Sequence, residues 1–110
     1  MTTYPELGPG ERELVGGWVE HDGVRTLDEV DRRIFWLVTR RLVPRGIAHG
    51  GWQQLFEDPR DGRYWELGFP EGSLHGGGPR RLECVSAAVA RERYGAAIDE
   101  SGTGRTAPSG

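Results

Sequence analysis

The sequence predicts an α+β domain built on a mostly antiparallel sheet of about five strands, with one long and one short helix packed on one face. Two strand-like runs, Trp52 to Glu57 and Arg63 to Phe69, are joined by a loop of turn-forming residues, which is the pattern of a β-hairpin. A segment of helical period precedes this hairpin, and a strand-like run and a short helix follow it. This order argues for an α+β domain with a mostly antiparallel sheet.

The chain of 110 residues is long enough for one hydrophobic core and divides into three parts. Residues 1–13 contain prolines and glycines without periodicity, and we expect an extended N-terminal lead-in there. Residues 14–98 carry the strand and helix signals and are expected to form a single domain. Residues 99–110 are small and polar, so we expect a disordered tail.

The first elements of the domain are a small hairpin and a long helix. Two β-prone pieces flank Asp22-Gly23, a dipeptide typical of hairpin turns. Thr26 and Glu29 have the spacing of a capping box and predict the start of a helix of about four turns, which ends before Pro44. The apolar residues that recur at helical spacing are Leu27, Val30, Ile34, Leu37, Val38 and Leu42.

The second strand of the central hairpin is predicted to have an apolar and a polar face. Because side chains alternate along a strand, Trp65, Leu67 and Phe69 share the inner face. Tyr64 and Glu66 then point outwards to solvent.

The last part of the domain is predicted to be a strand followed by a short helix. In the run from Arg80 to Val85, Leu82 and Cys84 would face inward. Ser86 is expected to cap a helix over Ala87 to Tyr94, which ends at the following glycine.

Composition excludes several classes of protein. No apolar run is long enough to span a membrane, and the N-terminus has no signal-peptide pattern, so we expect a cytoplasmic protein. The net charge of −3 argues against nucleic-acid binding. His21, His49 and His75 are scattered and a lone cysteine accompanies them, so we expect no metal site and no cofactor.

The charge is concentrated in the central hairpin, where five acids and two arginines lie between residues 57 and 71. An enzyme interpretation is open for Glu66 as base, His75 as acid and Arg63 as phosphate ligand, which would suit a small metal-free hydrolase or ribonuclease. The negative charge of the hairpin would repel RNA and disfavours this alternative.

Trp36 falls on the polar side of the predicted helix, near Arg32 and Arg40. Two interpretations are open. In one, a neighbouring segment buries the ring or the arginines stack on it. In the other, Trp36 is a binding anchor.

Four pieces of the sequence together resemble a known family: LVGGWV, DRRIFWL, GWQQLFEDPRDGRYWELGFPEGSLHGGGPRRL and ARERYG. Over Leu14 to Gly95 the chain is similar to immunity protein family 27 of bacterial polymorphic toxin systems. The resemblance implies a small cytoplasmic antidote, encoded beside a toxin, that binds the cognate toxin domain and blocks it. It carries over no catalytic residue and so implies a protein that is not an enzyme.

Under this resemblance, the toxin-binding surface is expected on the acidic hairpin, because negative charge would suit a basic toxin such as a nuclease. The candidate contact residues are Asp58, Asp61, Tyr64, Glu66 and His75, with Trp36 as the next choice. A simpler interpretation is that the two aspartates only shape the turn and that Glu66 only pairs with Arg63. The hydrolase, and an interaction module without a toxin partner, remain open alternatives.

Overall fold

The computed structural model describes residues 3–48, 53–70 and 78–103, with the side chains of the last range described as far as residue 95. The strands in these ranges are β1 (Glu13–Val15), β2 (Trp18–His21), β3 (Val24–Leu27), β4 (Val43–Ala48), β5 (Gln53–Glu57), β6 (Tyr64–Gly68) and β7 (Arg81–Val85). The helices there are α1 (Glu29–Trp36), which a π-helical turn over Leu37–Arg41 continues, and α2 (Ala87–Thr103). No helix in the described ranges is long and apolar enough to cross a membrane.

Five of the described strands form one antiparallel sheet in the order β1-β7-β6-β5-β4, and β2 pairs with β3 in a separate two-stranded ribbon. The predicted α+β class with a five-stranded antiparallel sheet is therefore confirmed. The ribbon turns at Asp22 and Gly23, whose φ angles of 52° and 79° fit the predicted two-residue turn. β1 does not belong to this ribbon and pairs with β7 instead.

The central hairpin is confirmed as β5 and β6, and Phe56 pairs with Trp65 in its register. Trp65 and Leu67 are buried on the predicted inner face. β6 ends at Gly68, so Phe69 lies beyond the strand and is half-buried. The prediction that Phe69 continues the inner-face row is wrong, because the strand and its alternation stop one residue earlier.

The helices pack on opposite faces of the sheet, and the prediction that both cover one face is wrong. α1 lies over the larger core, whose buried members are Leu7, Leu14, Ile34, Leu37, Leu42, Phe56, Trp65, Leu67 and Leu82. α2 lies over a smaller core, whose buried members are Leu55, Ala90 and Tyr94. Because both faces of β6 are covered, Tyr64 packs half-buried against the smaller core, where the sequence predicts a solvated side chain.

The first helix begins with Asp28 as its N-cap, not with Thr26. The Oδ1 atom of Asp28 accepts the backbone N–H of Asp31 at 2.9 Å, which satisfies a donor in the first turn. Thr26 is part of β3 instead. The helix and its π-helical turn end at Arg41, before Pro44, as the sequence predicts.

The second helix begins as predicted and continues further than predicted. The Oγ atom of Ser86 accepts the backbone N–H of Val89 at 3.1 Å and caps α2. The backbone leaves helical geometry at Tyr94, with φ −130° and ψ 24°, and then continues as helix to Thr103. The predicted helix end is therefore a kink, and the tail expected to be disordered from residue 99 is helical as far as Thr103. Residues 104–110 lie outside the described ranges.

The predicted N-terminal lead-in contributes to the packed domain. Leu7 is buried in the larger core. Arg33 of α1 donates hydrogen bonds to the carbonyl oxygens of Pro5 and Glu6, at 3.0 and 2.9 Å. It also donates to both carboxylate oxygens of Glu11, at 2.7 and 2.9 Å. Arg33 thus fastens the N-terminal segment to the first helix.

The contact between Glu11 and Arg33 makes the stability of the fold depend on pH. The hydrogen bond from Arg33 is the main cause that lowers the pKa of Glu11 from 4.5 to about 2. This pKa is lower in the folded than in the unfolded chain. The contact therefore contributes fully to the free energy of unfolding above about pH 4.5, and its contribution is lost as the pH falls towards about 2.

We expect the Glu11→Gln variant to be less stable than the wild type near neutral pH, since it removes the charge that Arg33 pairs with. The difference in free energy of unfolding between the wild type and the variant, measured by urea titration, should be constant from about pH 8 to about pH 6. It should shrink between about pH 4.5 and about pH 2.5. A difference that stays the same across this acidic range would show that the Glu11 carboxylate does not carry the contact.

Candidate interaction surface

The carboxylate of Asp58 is buried in the turn of the central hairpin. Asp58 is 2% exposed, and its Oδ1 atom accepts the backbone N–H of Arg60 at 2.9 Å. Its backbone N–H donates to the carbonyl oxygen of Arg63 at 2.9 Å, and its carbonyl oxygen accepts from Gly62 at 2.7 Å. Asp58 therefore shapes the turn, as aspartates at such positions often do. Its carboxylate is buried in the turn and does not lie on the surface of the domain.

Asp61 remains at the surface, but its carboxylate is paired. The two oxygens accept the backbone N–H and the Nε–H of Arg63, at 3.0 and 2.7 Å. The backbone hydrogen bond is the main cause that lowers the pKa of Asp61. Arg63 also donates to the carbonyl oxygens of Gly8 and Glu11 and lies over the ring of Trp65. This pair therefore belongs to the scaffold that holds the N-terminal segment.

Glu66 lies beneath α2 and is 5% exposed, so the prediction that it is solvated on the outer face is wrong. Its Oε1 atom pairs with Nη1 of Arg93 at 2.5 Å, and its Oε2 atom accepts the hydroxyl of Tyr94 at 2.7 Å. Burial, and then the hydrogen bond to Glu66, raise the pKa of Tyr94. Because both carboxylate oxygens are engaged, Glu66 is poorly placed to act as the general base of a hydrolase.

Trp36 is half-buried and packs against the larger core. The ring of Tyr4 meets it edge-on with 6.0 Å between ring centroids, and the guanidinium of Arg41 lies 5.1 Å from its centroid. These contacts match the packing interpretation of this residue, with Arg41 in place of the arginines that the sequence suggests. His75, a candidate contact residue, and Trp52, the first residue of the first strand-like run, lie outside the described residues.

A row of three glutamates crosses the sheet on the face that α2 partly covers. The strand register places Glu13 of β1 opposite Glu83 of β7, and Glu83 opposite Glu66 of β6. Like charges at directly opposite positions repel each other. Arg81 offsets this repulsion, because its Nε pairs with Glu13 at 2.5 Å and its Nη2 with Glu83 at 3.2 Å. The hydrogen bond to Glu13 is the main cause that raises the pKa of Arg81.

The glutamate row borders an open cleft of about 340 Å³, which we call the acidic cleft. Its lining residues are Gln53, Glu66, Gly68, Phe69, Pro70, Arg81 and Glu83. The side chains of Glu13 and Glu83 are 43% and 40% exposed, so they can meet a basic group of a partner. Sequence reasoning missed both residues, because only strand pairing brings β1 and β7 beside the hairpin. Among the described residues, no group of three His, Cys, Asp or Glu side chains could hold a metal ion.

Comparison with known proteins gives a match to a protein-family model. The family model described as Immunity protein 27 matches residues 21–86, from the end of β2 to the cap of α2. No curated protein and no solved structure matches the chain. The matched stretch covers more than half of the sequence and includes the first helix, the central hairpin and β7.

Proposed function

Because the chain belongs to the Immunity protein 27 family, we propose that it binds and neutralises a cognate toxin domain of a bacterial polymorphic toxin system. The family match over residues 21–86 is the observation that carries this proposal. Such a protein acts by occupying a surface of its toxin, in the cytoplasm of the producing cell, and this role requires no catalytic residue. We expect the toxin to be encoded by an adjacent gene.

The acidic cleft is the surface that we propose for contact with a basic toxin, such as a nuclease. Glu13 and Glu83 supply exposed carboxylates, and half-buried Phe69 supplies an apolar edge beside them. Opposite charges speed association and fix orientation, while an aromatic side chain contributes desolvated contact. Asp61, at the other end of β6, is the alternative contact that the sequence suggests.

Co-expression with the toxin domain encoded beside this chain tests the proposed function. The toxin domain alone should stop growth, and the chain should restore it. The purified chain should also form a complex with a catalytically disabled toxin domain, as measured by calorimetry. A folded chain that neither restores growth nor binds this domain would overturn the proposal.

Two matched charge changes locate the contact. Glu83→Lys and Asp61→Lys alter the charge equally, and both side chains are 40% exposed. Glu83 lies in the middle of β7, whereas Asp61 lies in the turn of the central hairpin. We expect Glu83→Lys to slow association with the disabled toxin domain by about tenfold at low salt, and Asp61→Lys to change it little. If instead Asp61→Lys slows association and Glu83→Lys does not, while both variants melt cooperatively, the contact lies at the hairpin turn.

A further inference from the structure

A second cleft opens at the same end of the sheet as the acidic cleft, but on the α1 face. It has a volume of about 390 Å³ and lies between the N-terminal segment, the end of β3 and α1. We call it the aromatic groove, and its lining residues are Tyr4, Leu27, Asp31, Arg32, Phe35 and Arg80. Arg80 lines this groove, whereas the next residue, Arg81, lines the acidic cleft.

The walls of the aromatic groove are apolar and accessible. Phe35 is 51% exposed, and the guanidinium of Arg80 lies 4.9 Å from its ring centroid. Trp18 stands opposite Leu27 in the ribbon, so both share one face and Trp18 extends the apolar surface. The guanidinium of Arg25 lies 4.6 Å from the centroid of Trp18. Aromatic residues and arginines are enriched among the residues that contribute most of the binding energy in protein–protein interfaces.

The charges around the groove indicate which partner it fits. Asp31 is 1% exposed, and its two oxygens accept the backbone N–H and the Nη1–H of Arg80, at 2.7 and 2.6 Å. The negative charge of Asp31 is thus compensated within the fold. Arg32 is half exposed, and its pair with Glu29 is 4.0 Å long and exposed, so that pair contributes little. Arg32 can therefore turn to a carboxylate of a partner, which it can bind through two hydrogen bonds.

Close backbone packing fixes the shape of the groove. The backbone N–H of Gly16 donates to the carbonyl oxygen of Arg80 at 2.8 Å, and a Cβ atom at Gly16 would lie 2.9 Å from that of Asp31. The carbonyl oxygen of Gly17 accepts the backbone N–H of Asp28 at 3.0 Å and closes the base of the ribbon. The groove walls are thus held in place before a partner arrives, which reduces the ordering cost of binding.

We propose that the aromatic groove receives a segment of the toxin domain that carries a large apolar side chain next to an acidic residue. The apolar side chain would contact Phe35 and Leu27, and the carboxylate would pair with Arg32. This inference rests on the proposed function and places the toxin against the end of the sheet where both clefts open. In this arrangement the acidic cleft faces a basic group of the toxin, and the aromatic groove faces an acidic group. The two opposite charges allow a single orientation of the toxin on the protein.

Phe35→Glu and Arg32→Glu test the groove, with the disabled toxin domain encoded beside this chain as the probe. Ile47→Glu is the control for the first change, because Ile47 is 70% exposed on β4, at the far edge of the sheet. Arg40→Glu is the control for the second, because Arg40 is exposed on the π-helical turn. By calorimetry we expect Kd to rise about thirtyfold for Phe35→Glu and about tenfold for Arg32→Glu, and less than about threefold for the controls.

Each outcome has a defined meaning. If the wild type binds and both groove variants bind like their controls, the groove inference is wrong and the proposed function stands. If the wild type does not bind, the proposed function itself fails. Should Phe35→Glu lose its cooperative melt, Phe35→Ala replaces it, with Ile47→Ala as the control.

A charge exchange tests the chemistry of the partner. Acidic residues on the surface of the toxin domain are replaced by arginine one at a time, and each variant is titrated against the Arg32→Glu protein. One replacement should restore binding to Arg32→Glu while weakening binding to the wild type. If none does, the assignment of a carboxylate to Arg32 is wrong.

Discussion

The Trp65→Ala variant is expected to lose about 3–5 kcal/mol of free energy of unfolding, a large part of the stability of a small domain. Trp65 is fully buried in the larger core, opposite Phe56, and the guanidinium of Arg63 lies over its ring. Truncation to alanine would leave a cavity that the rigid sheet cannot close. Urea titration followed by circular dichroism measures the loss.

Trp18→Ala is the matched control for this change, because Trp18 is 39% exposed on the ribbon. It removes the same atoms from a site that is already partly solvated, so we expect less than half of the loss seen for Trp65→Ala. Equal losses for the two variants would show that burial in the larger core is not what makes Trp65 important for stability.

The Glu66→Ala variant is expected to lose about 2–4 kcal/mol, because it removes the acceptor that holds α2 on the sheet. The hydroxyl of Tyr94 would be left without its acceptor in a buried site, and Arg93 would lose its charge partner. We also expect faster hydrogen exchange in the amides of α2, since the contact between β6 and that helix is weakened.

Glu83→Ala provides the comparison, since Glu83 stands directly opposite Glu66 in the register but is largely exposed. We expect this change to cost less than about 1 kcal/mol. The loss for Glu66→Gln should lie between those of Glu66→Ala and Glu83→Ala, because the amide oxygen of glutamine can still accept the hydrogen bond from Tyr94. If Glu66→Ala were as stable as Glu83→Ala, the buried carboxylate would not be what fastens the helix.

The elements that the sequence predicts well are those specified by neighbouring residues. The Asp22-Gly23 turn needs positive φ angles that this dipeptide adopts readily, and the Ser86 cap needs a hydroxyl beside the first helical turn. The burial of Trp65 follows from alternation along a single strand. In each of these cases the physical cause lies within a few residues, so the sequence pattern is sufficient.

The side of the sheet that α2 covers depends on contacts between distant residues. Glu66 meets Arg93 and Tyr94 across the turn after β7, and nothing in the local pattern of β6 distinguishes a solvated glutamate from a buried, paired one. The position of Glu13 and Glu83 beside Glu66 likewise follows from strand register. These features could not be read from spacing along the chain.

The acidic hairpin shows why a count of charges is an incomplete guide to a binding surface. Asp58 and Asp61 are close in sequence, but the first is buried in its own turn and the second is bound by Arg63. Aspartates at turns bond to nearby backbone N–H groups because the short side chain reaches them. In contrast, Phe35 lies in the helix segment that the apolar pattern assigns to the scaffold, yet it lines the aromatic groove.

Arg80 and Arg81 are consecutive in the chain, and their guanidinium groups lie on opposite sides of the sheet, one with Asp31 and the other with Glu13. Among the described residues the two clefts therefore share no lining side chain, so a substitution of one of these residues removes no described lining side chain of the other cleft. Under the proposed function, recognition would be modular. Under that proposal, the antidote would adapt to a changed toxin through substitutions in one cleft at a time, while the lining side chains of the other cleft keep their contacts.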